Sequence, residues 1–194
     1  FRAKAGYGTD ESVTRSVAGL NAKQREIHDK ILGVVNHQCL HEETGLVCEE
    51  PEQVLLFVSG GAGTGKSRLI ETLAESVEAR SGHAVVISAP TGMAARNVDG
   101  RTCHGVFKLP VQKDGKARYV ELSHDQDKEM ARAMFKTKLL IVDEISMVSN
   151  VTLTIIHQRL MGMMGMRGAR PLFAGFNLVV LGDLLQLPPV DRKL

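Results

Sequence analysis

The chain has 194 residues, 43% of them hydrophobic, with 24 Lys and Arg against 22 Asp and Glu. That length can close one domain around a full core, and no apolar run approaches the ~20 residues of a membrane span. The net charge of +2 neither demands nor excludes nucleic acid, because a local basic groove binds phosphates without raising the total. Three cysteines, an odd number, fit a reducing interior better than a secreted disulfide scaffold. The chain starts at Phe1 with no signal peptide, as expected of a piece cut from a longer intracellular protein. Residues 1–18 are small and polar without periodicity, and are expected to form a loose arm. A helix is predicted from Asn21 to about Val35, with Ile27, Ile31 and Val34 on one apolar face. Residues 37–53 read as a polar, acidic connection.

Next comes an apolar strand at 54–58, then Gly60-Gly61-Ala62-Gly63-Thr64-Gly65-Lys66-Ser67, then a predicted helix over 68–79. Strand, glycine-rich loop with Gly-Lys-Ser, then helix is the phosphate-binding loop of P-loop nucleotide hydrolases. The glycines let backbone N–H groups close around an anion, and the helix N-terminus adds positive potential at the same spot. Lys66 supplies a point charge for the outer phosphates and Ser67 a hydroxyl for Mg²⁺.

Three more strands are predicted at 84–88, 139–142 and 178–181. They are short, aliphatic and mostly separated by helix-like stretches, which argues for a parallel sheet covered on both faces. A charged helix is expected over 125–135, and the Met/Gly-rich residues 161–168 should end a helix and open a loop. The third strand runs into Asp143-Glu144, where one acid can hold a Mg²⁺ shell and the other can polarise water. Ser146 is a candidate cap for the following helix. The fourth strand ends in Gly182-Asp183, and Gln186 just beyond it reads equally as a γ-phosphate contact or as a turn residue before Pro188. His37, Cys39, His41 and Cys48 can be drawn as a zinc site, but a one-residue spacing is not that of structural zinc ligands, so a linker is preferred.

The run Gly182-Asp183-Leu184-Leu185-Gln186-Leu187-Pro188-Pro189-Val190 resembles motif III of the petite-integration-frequency (PIF) DNA helicases, in the RecD-like branch of superfamily 1. Other blocks follow in the family's order. Leu20-Asn21-Ala22-Lys23-Gln24 is similar to the Q motif, and Gly60 to Ser67 to motif I. Ala89-Pro90-Thr91-Gly92-Met93-Ala94-Ala95 is similar to motif Ia, Thr102-Cys103-His104 to motif Ib, and Asp143-Glu144-Ile145-Ser146-Met147 to motif II. Residues 107–110 and 171–177 look more like helicases encoded by Helitron-type transposons.

The resemblance implies an α/β RecA-like P-loop NTPase domain over 19–194, a parallel β-sheet with helices on both faces. The motif III strand would lie between the P-loop strand and the motif II strand. It implies ATP and Mg²⁺ as ligands, held by Gly61, Ala62, Gly63, Thr64, Gly65, Lys66 and Ser67, with Asp143 on the metal. Glu144 would be the general base and Gln186 the γ-phosphate sensor. Gln24 would read adenine, although Asn21-x-x-Gln24 is also a capping-box pattern. Pro90, Thr91, Thr102 and His104 would contact single-stranded DNA. Gly105 stands where the family commonly has Ser, and Leu184 where an aromatic is common. The implied partners are single-stranded DNA, duplex junctions and a second RecA-like domain of the same parent, with no membrane. That second domain would bring the arginine worth about 10³–10⁵ in rate in related NTPases. The chain stops four residues after Val190, so weak ATP·Mg binding and poor hydrolysis are expected of it alone. The implied activity is 5′-to-3′ DNA unwinding in repair, recombination, telomere maintenance or transposition. The implied location is the nucleus or mitochondrion if the source is eukaryotic. A P-loop ATPase that rearranges protein, or a non-hydrolysing DNA-binding module, are the alternatives.

Overall fold

The computed structural model describes residues 10–45, 52–82, 85–110, 118–166 and 171–186. Among these residues, five strands form one parallel sheet in the order β1-β5-β4-β2-β3: β1 Leu55–Ser59, β2 Val85–Ala89, β3 Arg101–Thr102, β4 Leu139–Val142 and β5 Asn177–Gly182. The expected position of the motif III strand is borne out, since β5 lies between β1 and β4. The helices are α1 Asp10–Ala18, α2 Ala22–Thr44, α3 Lys66–Ser81, α4 Gly92–Asn97, α5 Cys103–Phe107, α6 His124–Met134 and α7 Asn150–Met163.

Alternation along the central strands divides the core into two layers. Leu139, Ile141, Val179 and Leu181 face α2 and α3, meeting Ile31, Val35, Leu69, Leu73 and Val77. Leu140, Val142 and Leu178 face the opposite side, where Phe107, Met130, Met134, Ile156 and Leu160 cover them. All four residues of β4 are buried, as a strand in the middle of a doubly covered sheet requires.

Two sequence expectations need correction. Residues 10–18 are not a loose arm but helix α1, whose half-buried Ser12, Val13, Ser16 and Val17 recur at helical spacing along one face, with α1 packed on α3. The residues before it lie outside the described ones. Helix α2 does not stop near Val35 but runs to Thr44 and closes on Gly45 in the left-handed region. The reason is a buried stripe of His28, Ile31, Val35 and Cys39, spaced three and four residues apart, which carries the apolar face into the supposed linker. On this helix Cys39 is buried in the core, away from the exposed His37, so these residues do not converge as zinc ligands. Cys48 lies outside the described residues, and no group of three or more metal-ligating side chains exists among those described. Strand β3 and the exact ends of the other strands were not legible, each end shifting by a residue or so except in β4.

Polar side chains fasten these layers together. His28 is buried yet satisfied, with Nδ1 at 2.8 Å from Asp29 Oδ1 and Nε2 at 2.9 Å from Ser76 Oγ, bridging α2 to α3. Asn177, buried at the start of β5, donates to Gln38 Oε1 (2.7 Å) and to the Lys138 carbonyl (2.8 Å), and its Oδ1 accepts from Val54 N–H (2.9 Å). It thereby ties β1, the entry to β4 and α2 to one point. No helix of the described residues is long and apolar enough to cross a membrane.

Removing the Asn177 amide takes away the partner of a buried N–H and of a half-buried carbonyl. Asn177→Ala should therefore cost about 2–4 kcal/mol in urea unfolding. Glu78 on α3 gives a pH-dependent test. Burial, reinforced by neighbouring Glu75, raises its carboxyl from 4.5 to about 7. Between those values the folded state holds a proton that the unfolded state has released, so stability falls as pH rises through that window. Glu78→Gln should raise the melting temperature at pH about 8 and leave it nearly unchanged at pH about 4.

Candidate nucleotide site and nucleic-acid edge

The P-loop grows directly out of the sheet. Gly60 N–H donates to the Gly182 carbonyl at 3.1 Å, one residue beyond the paired strands, so the loop starts from a fixed point. Gly65 then caps α3 at φ 84°, ψ 25° with no side-chain cap, which leaves the first helical N–H groups directed at the loop's interior. A side chain at Gly65 would be strained at that φ, and its Cβ would sit 2.6 Å from Gln24 Nε2. Lys66 Nζ donates to the carbonyls of Gly60 (2.6 Å) and Gly61 (3.0 Å), and Thr64 Oγ1 to Gly61 (2.9 Å). Ser67, in the first turn of α3, is exposed.

Gln24 performs both capping and loop contact. Asn21 N–H donates to Gln24 Oε1 and Gln24 N–H to Asn21 Oδ1, each at 3.0 Å, forming a complete capping box at the start of α2. Its Nε2 donates to the carbonyls of Thr64 and Gly65, both at 3.2 Å. One amide thus connects the start of α2 to the phosphate loop.

Across the loop, β4 delivers Asp143, which is 6% exposed. Its N–H donates to Ser88 O at 2.9 Å, but Oδ1 is buried without a partner. Burial holds its carboxyl above the usual range, opposed by the Glu144 backbone N–H and the Lys66 charge. A buried, unpaired carboxylate oxygen beside a phosphate loop suits Mg²⁺, which takes one or two carboxylates plus phosphate oxygens and water rather than a full protein cage. Glu144 adopts φ 51°, ψ 45°, a left-handed conformation that costs a non-glycine residue energy. This turn lies against Gly182, where a Cβ would come within 2.9 Å of Ile145 Cγ2 and 3.0 Å of Ile145 N. Only glycine lets the two strand ends approach so closely.

Beyond Gly182, Asp183 Oδ1 accepts from Leu185 N–H and its carbonyl from Gln186 N–H, each at 3.0 Å. That turn brings Gln186 to a cleft of about 670 Å³ shared with Glu144, Ser146, Thr91 and Asn97. The rest of the motif III block, residues 187–190, lies outside the described ones. Ser146 does not cap α7: Ser149 does, accepting from Thr152 N–H at 3.1 Å, while Ser146 Oγ is buried without a partner. Ser149 lies three residues after Ser146, so the cap sits about one helical turn later than expected. Asn97 had no sequence signal, since only the packing of α4 turns it to the cleft.

The two strands on the far side, β2 and β3, supply an edge that adjoins this cleft at Thr91. Thr91 caps α4 by accepting from Ala94 N–H, and Thr102 caps α5 by accepting from Gly105 N–H, each at 3.2 Å. Register pairs Ala89 with Thr102, so both threonines stand at the carboxyl edge of the sheet. Half-buried Pro90 and exposed His104, which lies in α5 rather than in an open turn, flank them.

A family model described as PIF1-like helicase matches residues 19–194. The chain is 36% identical over 140 residues to the ATP-dependent DNA helicase PIF1 of Candida albicans, covering 72% of this chain and 15% of that protein. It is 32% identical over 168 residues to the ATP-dependent DNA helicase RRM3 of Saccharomyces cerevisiae, covering 82% of this chain and 23% of that one. The chain therefore spans less than a third of these relatives. The crystal structure of Pif1 helicase from Candida albicans superposes with a TM-score of 0.67 at 30% identity, over 88% of this chain and 34% of that chain. Bacteroides Pif1 in complex with ADP-AlF3 and single-stranded DNA gives 0.57 at 30% identity, over 81% and 33%.

Replacing the desolvated Asp143 should separate stability from ligand binding. Asp143→Asn should raise the melting temperature of the ligand-free protein at pH about 8 by a few degrees, and remove most of the further rise given by ATP with Mg²⁺. Thermal melts with and without the nucleotide check both.

Proposed function

The chain belongs to the PIF1-like helicase family, and on that premise we propose that it is the first motor domain of a DNA helicase that uses ATP to move 5′-to-3′ along single-stranded DNA. The observation that carries this reading is the grouping of the phosphate loop, the unpaired Asp143 oxygen, Glu144 and Gln186 at the carboxyl ends of three adjacent strands, β1, β5 and β4. A P-loop alone holds a nucleotide; a base and a γ-phosphate contact on neighbouring strand ends supply hydrolysis.

In this reading Lys66 leaves the Gly60 and Gly61 carbonyls for the β- and γ-phosphates, which offer it full negative charge instead of two dipoles. Backbone N–H groups of residues 61–67 close on the same oxygens. Ser67 and Asp143 hold Mg²⁺, which would neutralise charge on the phosphates when bound. Glu144 takes the proton of the attacking water, and Gln186 hydrogen-bonds the γ-phosphate. Gln24 exchanges part of its contact with the loop carbonyls for the adenine edge. Thr91, Thr102 and His104, with the backbone at Pro90, track the DNA. A second RecA-like domain closes over the nucleotide and brings the arginine. Repair, recombination, telomere maintenance or transposition are the processes such a motor serves, in the nucleus or mitochondrion of a eukaryote. The Pif1 structures with ADP-AlF3 and single-stranded DNA support the nucleotide and DNA assignments by homology.

Glu144→Gln should lower the turnover of the full-length parent about 10²–10⁴-fold while leaving ATP binding within a few-fold. The assay is ATPase rate with and without oligo-dT. Turnover that survives Glu144→Gln removes the assigned base, and turnover indifferent to oligo-dT points to a motor acting on protein.

A further inference from the structure

The residues assigned to DNA, namely Pro90, Thr91, Thr102 and His104, include no arginine or lysine. That is a deficit for a single-strand site, because phosphate contacts and the counter-ion release they cause supply most of the affinity. The structure places a guanidinium beside them. Arg101 is exposed on the edge strand β3, immediately before Thr102, and pairs with Ser88 of β2. Its Nη2 lies 3.9 Å from the point where a Cβ on Gly105 would stand, and Thr102 Oγ1 lies 3.2 Å from that same point. The Thr102 hydroxyl and the Arg101 guanidinium therefore both lie close to Gly105 in the first turn of α5, at the edge of the sheet.

We propose that Arg101 is the cationic phosphate contact of this edge, and that one phosphate of the single strand meets Arg101 and Thr102 Oγ1 together. This rests on the DNA-binding reading above and adds to it the residue and the subsite. A guanidinium suits a phosphate here because its planar fork donates two N–H groups to the anion's oxygens and never loses its charge. Thr102 Oγ1 already accepts from Gly105 N–H (3.2 Å), so its own proton remains to donate to an anion. The departure at Gly105 then ceases to be a lost hydroxyl contact and becomes an exchange of a neutral donor for a charged one.

Fluorescence anisotropy with labelled oligo-dT, from about 50 to about 200 mM salt, tests this. Arg101→Ala should weaken binding about five- to tenfold at the lower salt and reduce the slope of log K against log salt by about 0.7. Arg101→Lys should keep that slope and most of the affinity. Gly105→Ser added to Arg101→Ala should recover part of the affinity and none of the slope, because a hydroxyl contributes a hydrogen bond but releases no counter-ion. If the unsubstituted protein binds and Arg101→Ala changes neither affinity nor slope, the assignment of Arg101 is overturned. The same follows if Arg101→Lys behaves like Arg101→Ala. If the unsubstituted protein binds no oligo-dT, the DNA-binding reading falls and this subsite with it.

Discussion

The site depends on how closely β5 can be inserted between the two strands that carry its chemistry. The carbonyl of Gly182 anchors Gly60 at 3.1 Å, and the missing side chain of Gly182 admits the backbone of Ile145 at contact distance. One residue thus sets the origin of the phosphate loop and the position of the turn bearing Glu144. Move that strand end outward by a methyl group and the turn bearing Glu144 shifts away from the phosphate loop. Asn177 fixes the opposite end of the same strand, so β5 is held at both ends by polar contacts and along its length by Leu178, Val179 and Leu181. The turn itself carries backbone strain, since Glu144 takes a left-handed conformation, as Phe173 and Ala174 do just before β5.

Much of this was legible in the residues because chemistry and local geometry coincide. A strand that must be buried on both faces shows as an aliphatic run, and a loop that must wrap an anion shows as glycines before Gly-Lys-Ser. The four principal strands and the helix after the loop follow from those two facts. What escaped detection lacks a local signature. Strand β3 has two residues, too few for any alternation to appear. Helix α1 buries only part of one face, against another helix rather than the sheet, so its apolar signal is diluted by serine and threonine. The continuation of α2 was masked by charged residues on its outer face, while Cys39 inside carried the core stripe onward.

The site residues divide in the same way. Lys66, Asp143 and Glu144 were recognisable by position after a strand or a loop. Gln24 stayed ambiguous in the sequence because its two meanings share one pattern, and the structure shows the amide satisfying the helix start with its oxygen and the loop with its nitrogen. Arg101 and Asn97 became visible only when packing set them beside other elements. No one-dimensional pattern links Arg101 to Gly105 until α5 folds back against the end of β3.

Helix α2 has a mechanical meaning that follows from its two ends. Gln24 touches the phosphate loop at the carboxyl edge of the sheet, and Gln38 of the same helix bonds to Asn177 at the amino edge. Fourteen residues of helix separate them, about 21 Å at 1.5 Å per residue. Helix α2 is therefore one stiff element that crosses the thickness of the fold and joins the phosphate loop to the start of β5.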